Sequence, residues 1–171
     1  MGTQLIFVVE TDSKCKSDSI YISATIQKYY KVDVDYKIKY SYMGGKYKYK
    51  SKEKEIVQLT KQYNRIKGNE THVIYCFDCD DYDRNRQDAQ FIKEVEDYCK
   101  SKDYEFVWFC KDVESVYLGN KVEDKKKKQE SKRFMQKGLI NEVEDKKLRQ
   151  KTYSKNTSNI LNVLNKYLHK K

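Results

Sequence analysis

Apolar positions along this chain come in two alternating patterns, short continuous runs and helically spaced stripes. The runs QLIFVV (4–9), HVIYCF (72–77) and YEFVWFC (104–110) suit strands covered on both faces. VDVDYKIKYSYM (32–43) instead alternates strictly, with Val, Tyr and Ile on one side and Asp, Lys and Ser on the other, so it predicts a half-exposed strand. Between the runs, Ile20, Ala24, Ile26 and Tyr30 predict a helix opened by Ser or Asp caps near Ser17. Ile56, Leu59, Tyr63 and Ile66 fall on one face of a second helix spanning about 51–66, and residues 88–102 form a third amphipathic segment. Gly44-Gly45 offers a tight turn after which KYKYK (46–50) is expected to pair back as a hairpin arm. Four strands alternating with helices predict an α/β layer fold with a largely parallel sheet.

The pattern changes after Gly119. KVEDKKKKQESKRFMQKG reads as a charged helix with little apolar face, and SNILNVLNKYLHKK holds enough Ile, Leu and Val for a helix docked on the body. Lys125–Lys128 is expected in a mobile stretch between them. The expected organisation is an α/β unit over residues 1–120 and a basic helical extension over 121–171 packed on the same domain. At 171 residues the chain suits one domain with a real core better than two.

Charge sharpens this division. Residues 1–120 hold 20 Lys+Arg against 20 Asp+Glu, whereas 121–171 hold 16 against 6, so the whole formal excess of +10 lies in the extension. Such a field attracts polyanions, nucleic acid above all, and Lys125, Lys126, Lys127, Lys128, Lys132 and Arg133 are the candidate phosphate contacts. No apolar stretch approaches the length needed to span a bilayer. Five cysteines, an odd number, and a first segment without a basic start or a long apolar run lead to the expectation of a reducing, cytoplasmic setting. Cys76 and Cys79 have zinc-like spacing but no second pair follows, so they read as packed thiols.

The negative charge gathers where strands end. Glu10 follows the first run, and Asp78, Asp80, Asp81 and Asp83 follow the third. In open α/β sheets, sites form beyond the carboxyl ends of strands. If the two runs are neighbouring strands, Glu10, Asp78 and Asp80 share one mouth, and such crowding either raises carboxyl pKa values or recruits a cation. An all-oxygen set with an i, i+2 aspartate pair suits Mg²⁺ or Mn²⁺. Asp81 and Asp83 read as loop or capping residues.

A strand ending in Glu, a helix, two further units and then VIYCFDCDD, a strand ending in FDxD, resembles the toprim domains of topoisomerases, primases and the OLD and RloB-like nucleases. The resemblance covers about residues 4–118. It implies a compact Rossmann-like toprim fold in which the Glu acts as general acid/base and the DxD aspartates bind Mg²⁺, which carries over to Glu10, Asp78 and Asp80. WFCKDVESVYLG (108–119) resembles the RloB-like segment that opens a short helix with an acidic residue, making Asp112 or Glu114 a further metal ligand. In the family a small residue, often Gly, usually follows the Glu and a Gly follows the DxD; here Thr11-Asp12 and the glycine-free DYDRNRQ stand in those places.

The resemblance implies a small metal-dependent nuclease of DNA or RNA, in a group often linked to phage defence. Topoisomerase and primase activities need domains for which this chain has no room. The rival expectations are a non-catalytic nucleic-acid binder and a response-regulator-like phosphoacceptor with Lys111 as its lysine.

Overall fold

In the computed structural model, which describes residues 1–171, the three continuous runs become β1 (Thr3–Val9), β4 (Glu70–Asp78) and β5 (Glu105–Cys110). The alternating segment supplies β3 (Tyr36–Tyr42). These four strands are parallel, and with the two-residue strand β6 (Thr157–Ser158), antiparallel to β5, they give the sheet order β3-β1-β4-β5-β6. A separate antiparallel pair joins β2 (Tyr30–Lys31) to β7 (His169–Lys170).

Alternation along β1 explains the two-layer core. Leu5, Phe7 and Val9 point into a larger apolar cluster with Ile74, Cys76, Val107 and Phe109. Ile6 and Val8 point the other way, with Val73, Tyr75 and Phe77. The larger face is covered by α1 (Ser17–Tyr29), α4 (Val113–Leu118), α5 (Asp124–Gln136) and α6 (Ile160–Leu164). The other is covered by α2 (Glu53–Asn64) and α3 (Arg86–Lys102). A strand buried on both faces has no solvated side to encode, hence the unbroken apolar runs.

Element ends follow local chemistry. Asn85 caps α3, its Oδ1 accepting the N–H groups of Gln87 at 2.9 Å and Asp88 at 3.2 Å, and Asp112 caps α4 by accepting Ser115 N–H at 2.8 Å. Gly119 closes α4 at φ 79°, a left-handed position that suits glycine.

Three expectations are corrected. KYKYK is no hairpin arm but part of a 3-10 helix, Lys46–Lys52. Gly44 and Gly45, at φ 65° and 138°, turn the chain off the sheet, and Tyr49 is buried against Phe77, Phe91 and Tyr98. Lys125–Lys128 form the first turn of α5 rather than a mobile stretch, because Ser131 and Phe134 are buried and Lys127 lies on their side of the helix. The final helix is short, with α6 giving way to turns and β7, though Ile160, Leu161, Val163, Leu164 and Leu168 are all buried. Residues 121–171 fill the same apolar cluster as α1, β1 and β5. The two sequence regions therefore share one core.

Candidate active site

The chain runs from β1 out to β3 on one side, then returns to place β4 on the other side of β1. Segments leaving β1 and β4 therefore diverge, opening a crevice at their carboxyl ends. Glu10 and Asp78 meet there. The Asp78 N–H donates to Glu10 Oε1 at 3.2 Å, and Asp78 Oδ1 accepts the Val113 N–H at 2.9 Å, tying the end of β4 to the start of α4.

Asp80 sits two residues on at φ 49°. Its Oδ2 is held by Lys46 Nζ at 2.6 Å, and the same ammonium lies 3.7 Å from Asp88. Asp80 thus stands at the crevice while its carboxylate is engaged by Lys46. Asp112 caps α4 and also lines the adjoining cavity. Glu114 is 1% exposed, and neither carboxylate oxygen has a hydrogen-bond partner; the nearest charge is Lys127 Nζ at 3.8 Å.

Sequence reasoning did not place two members of this group at the site. Asp18, in the first turn of α1 and 7% exposed, accepts the Thr11 N–H at 3.1 Å. Its sequence signature was an acid at the start of the helix leaving β1, which reads equally as a cap. Lys46 falls in KYKYK, whose alternation reads as a hairpin arm and gives no hint of a carboxylate partner. Of the extension's candidate contacts, Lys127 reaches the acids, whereas Lys125, Lys126, Lys128, Lys132 and Arg133 are exposed on α5. Among these, Lys125 approaches Glu123 at 3.5 Å and Arg133 approaches Glu130 at 3.1 Å.

Burial, then the charges of Asp18 and Asp80, push the Glu10 pKa well above the ordinary carboxyl value. Burial with Glu10, Asp18, Glu114 and Asp112 does the same to Asp78. Burial also raises Asp18, and it pushes Glu114 up to about 7 against the opposing pull of Lys127. For Lys127 burial works against its charge, but Glu114, Asp78, Asp124 and Asp18 outweigh it and hold the ammonium protonated. Lys46 is stabilised in the same way by Asp80 and Asp88.

Beside the acids opens a cavity of about 620 Å³ with no hydrophobic lining residue. Its lining mixes six aspartates, Asp78, Asp80, Asp81, Asp83, Asp112 and Asp124, with five cations, Arg84, Lys111, Lys121, Lys127 and Lys155. Lys111 pairs with Asp81 at 3.0 Å and Asp83 at 3.4 Å. The donors are all oxygen, the chemistry Mg²⁺ and Mn²⁺ prefer, and an orphaned buried carboxylate such as Glu114 is the kind of group an ion satisfies. As arranged, however, no three acidic, His or Cys side chains form a group able to share one ion.

Cys79, between the two aspartates, is packed with Cys110 and Trp108, and all five cysteines are free thiols. No helix is long and apolar enough to cross a membrane. Comparison with protein-family models, with curated proteins and with solved structures finds no match to this chain.

Proposed function

We propose that this protein is a toprim-type, Mg²⁺- or Mn²⁺-dependent phosphodiesterase acting on DNA or RNA. The observation that carries this reading is the meeting of Glu10 and Asp78 at the sheet crossover, beside a wholly polar cavity lined by aspartates and by Arg and Lys side chains. Asp78 and Asp80 would hold the ion, with Asp112 and Glu114 as further oxygen donors. A divalent ion there supplies neutralisation of phosphate charge and activation of water.

The remaining work falls to the chain itself. Glu10, with its raised pKa, retains a proton into the range where it can donate to a leaving oxygen and take one back, as general acid/base chemistry requires. Arg84, Lys121 and Lys155, which line the cavity, would hold the phosphate, while Lys111 is paired with Asp81 and Asp83. The exposed lysines of α5 offer contacts to the flanking backbone.

The test is cleavage of single-stranded and duplex substrates in Mn²⁺. Wild type is expected to cleave; Asp78→Ala and Glu10→Gln are expected to lose at least about a hundredfold in rate, with circular dichroism unchanged. Equal cleavage by both variants overturns the assignment. One observation favours a second reading, a non-catalytic nucleic-acid binder: Lys46 and Lys127 already neutralise carboxylates of the cluster. In that case titration calorimetry with Mn²⁺ shows no site, while oligonucleotide binding remains salt-dependent.

A further inference from the structure

The chain has 16 Tyr, 6 Phe and 1 Trp, and all of them are buried or partly buried except Tyr47, which is 75% exposed. The geometry points to Tyr47 as a stacking platform for an unpaired base beside the acid crevice, so that the nucleic acid engaged here is single-stranded. This rests on the nuclease reading above for the position of the phosphate.

Tyr47 is exposed but not loose. It lies in the first turn of the Lys46–Lys52 3-10 helix. Two residues before it, the Gly45 N–H donates to the Glu10 carbonyl at 3.0 Å. One residue before it, Lys46 grips Asp80 at 2.6 Å. Both residues that bracket the crevice therefore anchor the segment carrying this ring. Phe91 meets the ring edge-on at 5.0 Å, and Lys46 Nζ lies 5.4 Å from its centroid. The ring is thus held from behind and beside, which lowers the entropy lost when a ligand stacks on it.

The flanking chemistry fits the same ligand. Lys48 is exposed on the same turn, and so is Lys50, which lies 3.8 Å from Glu94; their ammonium groups are the chemistry that phosphates beside a stacked base would meet. The polar cavity, which mixes aspartates with Arg and Lys, extends towards α4 and α5. A strand whose phosphate would lie over a divalent ion at Asp78 and Asp80 has the basic side chains of the cavity, Arg84, Lys121 and Lys155 among them, on one side and the Tyr47 ring on the other. In a duplex both faces of each base are covered by neighbours, so only an unpaired, unstacked base can use Tyr47.

The test is fluorescence anisotropy with a labelled single-stranded oligonucleotide and a labelled blunt-ended duplex without a loop, with Ca²⁺ in place of Mn²⁺ so that the acids are neutralised while cutting is suppressed. Tyr47→Ala is expected to weaken single-strand binding about tenfold, the range of one lost base stack, with duplex binding changed by less than about twofold. Tyr47→Phe keeps wild-type affinity, since the ring and not the hydroxyl stacks. The platform is overturned if Tyr47→Ala binds the single strand as wild type does, if both substrates weaken equally, or if the wild type binds neither. Loss of wild-type self-association in Tyr47→Ala without any change in oligonucleotide affinity identifies a contact between copies instead, and also overturns it. A wild type that binds single strands through Tyr47 but never cleaves in Mn²⁺ removes the nuclease reading and leaves the platform standing.

Discussion

Glu114 is the group whose surroundings make the sharpest claim about pH. Its carboxyl is buried, without hydrogen bonds, and pushed up to about 7. Below about pH 4.5 it is protonated in folded and unfolded chain alike and costs nothing. As pH rises towards 7 the unfolded chain releases this proton and the folded one holds it, so stability declines through that window and the full penalty applies above it. Glu114→Gln is therefore expected to stabilise the fold near pH 8 in EDTA by on the order of 2 kcal/mol, read as a higher melting temperature. Near pH 4.5 it should change little. Equal effects at both pH values would show that ionisation is not the cause. Glu10 and Asp78 were legible in the sequence because each follows an apolar run directly, and Asp80 because it stands two residues beyond Asp78. Asp18 and Lys46 were not, since their importance comes from where α1 and the Gly44-Gly45 turn deliver them, which spacing alone does not encode.

The elements divide along similar lines. Strands β1, β4 and β5 were plain because burial on both faces leaves an uninterrupted apolar run, and α3 was plain from its stripe. The KYKYK segment was misread because Lys-Tyr alternation fits a strand, whereas tertiary packing of Tyr49 selects a 3-10 turn. In the same way α5 looked featureless, since its inward side carries Lys127 and Ser131 along with Phe134. For α3 the cap is the weak point. Removing the Asn85 acceptor by Asn85→Ala leaves the Gln87 and Asp88 N–H groups to water and is expected to cost about 1 kcal/mol, a fall of about 2–4 °C in melting temperature. Because Asp88 also accepts the Asp81 N–H at 3.1 Å and approaches Lys46 at 3.7 Å, fraying of this first turn also reaches the Asp80 loop. Faster amide exchange at Asp81 in the variant is the measurement that reports it.

The molecule as a whole depends on its last segment more than a basic tail suggests. Deleting residues 157–171 removes β6 from β5 and takes Ile160, Leu161, Val163, Leu164 and Leu168 out of the core. Five such side chains contribute on the order of 10 kcal/mol, comparable to the whole stability of a domain. The truncated chain is expected to lack a cooperative thermal transition and to aggregate, as light scattering would detect; a sharp unfolding transition would contradict this. The short pairing of β6 on β5 also has a consequence for biosynthesis. A nascent chain that has already made Cys110 must wait for Thr157 and Ser158 before that strand edge is covered. At ribosomal speeds this exposes it for several seconds, an interval in which chaperone binding would matter most.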